Sequence, residues 1–185
     1  MSQPKRIILN RKIVADAWQL VGENDALPGL PGSLPDGPLG ALLQTPGNLI
    51  VPLAVWLQHH ATLAQRTGKT GVCLKGSDDP AQLQLNGAAI KLPLIAIEFA
   101  QFVDGRGSSI GRLLRQRYRF TGELRAIGDV LRDQLLALTR CGFNAFALKE
   151  GKSLEDALHA FDEFSDAYQN TVEQPVPYYR RRLAA

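Results

Sequence analysis

The sequence predicts an α/β fold: a mostly parallel sheet of successive βα units, half-barrel or open TIM-like, with a leading β-strand pair. Three observations carry this. The run "PLIAIEFA" at residues 93–100 is almost continuously apolar, as expected of a strand buried on both faces of a parallel sheet. From that run onward, β-type and helical patterns alternate at spacings of about 25 residues, the signature of right-handed βαβ units. The count of units, about four or five, falls short of the eight of a closed TIM barrel, so an open edge needs cover from the leading strands or a second copy of the chain.

In chain order, "RIILNRKIVADAWQL" holds two β-prone runs, residues 7–9 and 17–20, around a polar turn, which predicts a strand pair. Residues 28–47 carry five prolines and five glycines, too many for regular elements, and read as a long surface loop or linker. "NLIV" is a short strand, Pro52 opens a helix at its first position, and "LAVWLQHHATLAQR" continues it with apolar residues at helical spacing. "GVCLK" is the next strand. "DDPAQLQLNGAAIKL" fits either a short helix or an "NG" hairpin.

After "PLIAIEFA" the DGRG turn leads into a helix with Ile110, Leu113, Leu114 and Tyr118 on its apolar stripe. "GELRAIG" is a strand, and "DVLRDQLLALTRCG" a helix with Asp129 as its cap and Gly142 as a left-handed stop. "FNAFAL" is the next strand. "SLEDALHAFDEFSDAY" closes the series, capped by Ser153, with Leu154, Ala157, Leu158, Phe161 and Phe164 buried. The tail "VEQPVPYYRRRLAA" shows neither periodicity and reads as a mobile segment or a docking arm. The chain thus divides into leading strands and loop (1–47), a βα-repeat body (48–170) and a flexible basic tail (171–185).

The totals exclude several classes. At 185 residues and 45% hydrophobic, one domain is the expectation. No run is long and apolar enough to span a membrane, and the start lacks the apolar segment of a secretory signal, so a cytoplasmic location is expected. Cys73 and Cys141 are the only cysteines and form no C-x-x-C pair, which leaves no zinc or iron–sulfur ligand set; both are expected as buried, reduced thiols. The formal charge of +3 is matched by Arg180, Arg181 and Arg182, so the remainder is neutral and nucleic acid is not an expected partner.

Anion binding, where present, is therefore local. "FVDGRGSSIGRLLRQRYRF" places Asp104, Arg106, Ser108 and Ser109 at a strand's carboxyl end, where α/β sheets collect ligands and helix-start amides point outward. Asp104 can alternatively pair with Arg106 and brace the turn. Arg112, Arg115 and Arg119 recur opposite the apolar stripe, as on a solvated face. "GRGSSIG" is one residue longer than a dinucleotide-binding G-x-G-x-x-G, which makes a nicotinamide or flavin loop the weaker alternative.

On the following strand, Glu123 and Arg125 alternate and project to one side of the sheet. Asp129, at the end of that strand, and Lys149, after the next, fall on the same rim as Arg106. Asp104, Arg106, Ser108, Ser109, Arg125, Asp129 and Lys149 are accordingly the candidate anion or ligand site. His59, His60 and His159 have no ligand-like spacing, and no nucleophile elbow, P-loop or Ser-His-Asp order is present.

The segment "EFAQFVDGRGSSIGRLLRQRYRFTGELRAIGDVLRDQLLALTRCGFNAF" closely resembles a bacterial family of unknown function whose members are described as predicted oxidoreductases of sulfite reduction. "DGRG" with its serine, "TGELRAIGDVLRDQL" and "RCGF" carry the likeness, which extends loosely to Trp18 and "GVCLK". Asp104, Arg106, Ser109, Arg125, Asp129 and Asp133 match its motifs. The chain departs at Ala100, Ser108 and Arg119, where the family often has proline, an aromatic residue and glycine.

The resemblance implies a setting in assimilatory sulfur metabolism, with a small anion or sulfur nucleotide as ligand and sulfite reductase or an activated-sulfate reductase as partner. It transfers no catalytic set and no cofactor. Electron transfer needs a carrier, and the sequence has no paired thiols and no iron–sulfur spacing, which favours an accessory role over a cofactor-dependent oxidoreductase. Apart from the resemblance, a short βα series with an open edge makes a homodimer one way of covering that edge.

Overall fold

The structure, a computed structural model, describes residues 5–21, 40, 43–84, 90–163, 168, 170–172 and 174–183. Most of the proline- and glycine-rich stretch, the "NG" of residues 86–87 and Phe164 lie outside them.

Eight strands among the described residues form one mixed sheet: β1 (Arg6–Leu9), β2 (Lys12–Ala15), β3 (Trp18–Leu20), β4 (Asn48–Pro52), β5 (Thr70–Lys75), β6 (Leu94–Phe99), β7 (Glu123–Gly128) and β8 (Ala145–Phe146). Their spatial order is β2-β1-β8-β7-β6-β5-β4-β3. Strands β3 through β8 run parallel, while β1 is antiparallel to both β8 and β2. The leading strand pair therefore exists, but its second member is β2 rather than residues 17–20. Asn10 and Arg11 both take left-handed backbone (φ 49° and 61°), the requirement of a tight two-residue hairpin turn whose twist matches the strands.

Residues 17–20 instead supply β3, at the far end of the strand order. Only Asp16 and Ala17 separate β2 from β3 on the chain, so the two ends of the sheet must meet there. This forces the sheet to curl into a half-barrel. Its inner face carries Ile7, Ile50, Leu94, Ala96, Ile127 and Ala147, with Val14, Trp18 and Cys73 packed against them. A mixed sheet results because the hairpin, not a further βα unit, continues it beyond β8.

Helices α1 (Leu53–Leu63), α2 (Arg106–Gln116) and α3 (Leu135–Arg140) lie in connections between parallel strands, and α4 (Leu154–Leu158) follows β8. The main core lies between helices and outer face, where Val72, Ile95, Ile97, Phe99, Leu124 and Phe146 meet Ile110, Leu114, Leu135, Leu138 and Ala157. Each fully buried Leu, Ile or Phe there stabilises the fold by about 1.5–3 kcal/mol. Strand β6 is buried along nearly its whole length, as its apolar run requires.

Several local expectations change. Leu113 is exposed, so the apolar stripe of α2 is Ile110 and Leu114, continued by Tyr118 just past the helix end. Asp129 does not cap the helix after β7; that helix starts at Leu135, behind a 3₁₀ turn (Arg132–Gln134) in which Leu131 N–H donates to Gln134 Oε1 at 2.9 Å. Gly142 does adopt left-handed backbone (φ 103°), and Ser153 Oγ does accept from Asp156 N–H at 3.1 Å. "DDPAQL" resolves to a 3₁₀ turn (Pro80–Leu83) capped by Asp79. The tail contains a short helix, α5 (Tyr178–Leu183), which the sequence pattern does not announce.

Candidate functional site at the carboxyl ends of the parallel strands

Side-chain alternation along the central strands decides what reaches the inner face. The register sets Cys73 beside Ala96 and Lys75 beside Glu98, and then Ala96 beside Arg125 and Glu98 beside Ile127. Two layers follow: Cys73, Ala96 and Arg125 below, Lys75, Glu98 and Ile127 above, toward the carboxyl ends.

Arg125 is 2% exposed and held by two carboxylates. Its Nη1 donates to Asp16 Oδ1 and Oδ2 at 2.9 and 3.1 Å, and its Nε donates to Glu123 Oε1 at 2.7 Å. Asp16 and Glu123 are themselves 5% and 15% exposed. Asp16 Oδ1 also accepts from Trp18 N–H at 3.1 Å. A buried charge is tolerated when its attraction and hydrogen bonds offset desolvation, and this geometry meets that condition. Because Asp16 sits at the β2–β3 junction, the same bonds fasten the meeting ends of the sheet.

Above this layer the inner face opens into two adjoining hollows that share Leu20 and Glu98. One, of about 270 Å³, is bordered by Lys5, Asp16, Trp18, Arg125, Ile127 and Lys149. The other, of about 390 Å³, is bordered by Pro52, Leu53, Leu57, Cys73, Lys75 and Asp78. A largely apolar concavity with a few converging polar groups, at the carboxyl ends of parallel strands, is the usual form of a small-molecule site.

The predicted site residues separate into two groups. Arg125 and Lys149 border the smaller hollow. Asp129 joins them through Lys149, whose Nζ donates to Asp129 Oδ1 at 2.8 Å, while Phe102 N–H donates to Oδ2 at 3.2 Å. The Lys149 hydrogen bond lowers the Asp129 pKa. Asp104, Arg106, Ser108 and Ser109 border neither hollow. Arg106 donates to Asp104 from Nε at 2.9 Å, Nη2 at 2.7 Å and backbone N–H at 3.1 Å. These bonds hold the Asp104 pKa down at about 2, the side-chain bond contributing most. The pair braces the turn, against Gly76. Helix α2 begins at Arg106, so Ser108 and Ser109 lie within its first turn rather than capping it.

The glycines of "GRGSSIG" have a packing explanation. A Cβ on Gly107 would stand 2.7 Å from Phe99 Cζ, and one on Gly111 would stand 2.4 Å from Phe143 Cε2. They let α2 lie close on the sheet, while a Cβ on Gly105 would meet nothing. Their spacing therefore gives no argument for a dinucleotide.

Arg115 also departs from expectation. It does not belong to a solvated face: Nε donates to Gly142 O at 2.9 Å, Nη1 to Phe120 O and Gly122 O at 2.7 and 2.9 Å, and Nη2 to Asn144 Oδ1 at 3.1 Å. Burial lowers its pKa. Arg119 takes left-handed backbone (φ 53°), a conformation that glycine adopts most readily.

Sequence reasoning missed Asp16, Trp18, Cys73, Lys75 and Glu98. For three of them a signal existed: Cys73 and Lys75 alternate in "GVCLK", and Glu98 is a lone charge in an apolar strand, in phase with Leu94 and Ala96. Cys73 and Cys141 are reduced but half-buried rather than fully so, and burial raises the Cys141 pKa. Among the described residues no group of His, Cys, Asp and Glu could hold a metal ion, and no helix is long and apolar enough to cross a membrane.

A family model, bacterial protein of unknown function DUF934, matches residues 71–179. That span takes in β5 through β8 and the loops that follow them, including Cys73, Lys75, Glu98, Arg125 and Lys149. No curated protein matches the chain, and no solved structure does.

Proposed function

The chain belongs to the bacterial family of unknown function DUF934, and from its geometry we propose that it binds a small anionic intermediate of sulfur assimilation in the inner-face hollows, as an accessory protein of sulfite reduction. The observation that supports this most is that Lys149 borders one hollow at the carboxyl ends of the parallel strands, above the paired Arg125. Lys5 stands on the same border and Lys75 on that of the adjoining hollow. The sulfur setting rests on the resemblance of the DGRG, "TGELRAIGDVLRDQL" and "RCGF" motifs.

Calorimetry with sulfite, sulfate, adenosine phosphosulfate and phosphoadenosine phosphosulfate tests this reading. Saturable heat from at least one of them, weakened about tenfold by Lys149→Met, is the expected result, since a charge-assisted bond is worth roughly 1.5 kcal/mol or more. Silence from all four at millimolar concentration would remove it.

A second reading is favoured by the tail, where Val176, Tyr179 and Leu183 are exposed beside Arg180, Arg181 and Arg182. In this reading the chain is a scaffold that docks to sulfite reductase. Co-purification with that enzyme, lost when residues after 172 are deleted, is its expected behaviour.

A further inference from the structure

The charged side chains that meet in and below the smaller hollow are mostly paired with one another. Arg125 is held by Asp16 and Glu123, and Lys149 by Asp129. Glu98 differs. It is half-buried, borders both hollows, and its carboxylate takes part in no hydrogen bond or ion pair among the described residues. In register it stands between Lys75 on one neighbouring strand and the apolar Ile127 on the other, and Leu20, Ile50 and Ile127 border the smaller hollow with it.

A carboxylate partly withdrawn from water is best satisfied by a cationic or strongly donating group. A ligand that engages both this carboxylate and the lysines carries a positive end as well as a negative one. We infer that the hollows take a small zwitterion of the α-amino acid type, its ammonium seated on Glu98 and its carboxylate directed to Lys149.

The spacing agrees with this. Glu98 lies on β6 and Lys149 follows β8, with one strand between them, a separation of roughly 10 Å between strand axes. Both residues border the smaller hollow, and a short zwitterion between them makes two charge-assisted bonds of about 2.8 Å. The apolar floor of the larger hollow, with Pro52, Leu53 and Leu57, then receives the rest of the ligand.

This inference rests on the reading of the hollows as the ligand site, and its test separates the two. The twenty common L-α-amino acids are screened by thermal shift. Each amino acid that shifts the melting temperature is titrated by calorimetry alongside its N-acetyl derivative and its α-hydroxy counterpart, against wild type and Glu98→Gln. At least one free amino acid is expected to bind saturably, with both analogues at least tenfold weaker. Glu98→Gln should weaken the free form at least tenfold and change the N-acetyl form less than threefold.

Absence of binding by every amino acid, or binding indifferent to acetylation or to Glu98→Gln, overturns the inference. If Glu98→Gln does not fold, the acetylation comparison on wild type decides alone. Heat from the sulfur oxyanions or nucleotides without any amino acid response sinks the role of Glu98 and leaves the hollows as a site. Silence from all probes sinks both.

Discussion

The two ends of the curled sheet use their charged residues in opposite ways. At the amino ends of β7 and β8, Arg115 donates to three backbone carbonyls and to Asn144, and Asn144 in turn accepts from Leu124 N–H at 2.8 Å and donates to Asn10 at 3.2 Å. The side-chain groups there close loops onto strands. At the carboxyl ends, Lys75, Glu98 and Lys149 border hollows, and Glu98 has no partner among the described residues. Between the ends, the layer of Arg125, Asp16 and Glu123 fastens the sheet, and Arg125 and Asp16 border the smaller hollow. The contrast teaches that an arginine's value as a site marker depends on which carbonyls and carboxylates already claim it.

The largest effect expected from breaking this division is at Arg125. Arg125→Met leaves Asp16 and Glu123 as buried carboxylates without a counter-charge, and should cost about 3–5 kcal/mol in denaturant unfolding. A loss under 1 kcal/mol would mean that the ends of the sheet are not fastened there. Arg115→Met should cost about 2–3 kcal/mol, since a half-buried guanidinium with four acceptors is removed and the freed carbonyls regain water only in part. It should leave ligand affinity at the other end unchanged. A parallel drop in affinity would show that the two ends are not independent.

A smaller effect separates packing glycines from ligand glycines. Gly111→Ala should destabilise by about 1–3 kcal/mol through overlap with Phe143, whereas Gly105→Ala should stay within about 0.5 kcal/mol of wild type. The reverse order would return the glycine loop to a ligand role. Smallest is the exposed Asp104–Arg106 pair. The depressed Asp104 pKa means that its stabilisation is present above about pH 4, near the unfolded value, and is lost as pH falls through about 2. Carboxyl NMR titration should place Asp104 at about 2 in wild type and near 3.9 in Arg106→Gln.

Much of the fold was legible because its signals are local. The apolar run of β6, the serine that caps α4 and the left-handed Gly142 each announce themselves within a few residues. The alternation of Glu123 and Arg125 correctly predicted a shared face. What could not be read depends on distant partners. Asp16 meets Arg125 across 109 residues of chain, and no local pattern says that residues 17–20 cross to the far end of the sheet. Arg115 carries the helical spacing of a solvated face, yet its acceptors lie in the loops before β7 and after α3. Asp129 has the residue type of a helix cap, but Lys149 and Phe102 N–H claim it first. Of the candidate site, Arg125 and Lys149 were found from the sequence, while Glu98 was passed over because a strand buried on both faces was read as uniformly apolar.

The central claim is that ligand meets this chain on the inner face of the sheet and not at the start of α2. A two-dimensional amide NMR titration of the full chain with sulfite, adenosine phosphosulfate and a mixture of amino acids tests it most directly. Saturable shifts centred on Glu98, Phe99, Gly128 and Lys149 are predicted. Shifts centred instead on residues 105–109, or a spectrum that none of the probes moves, would contradict it.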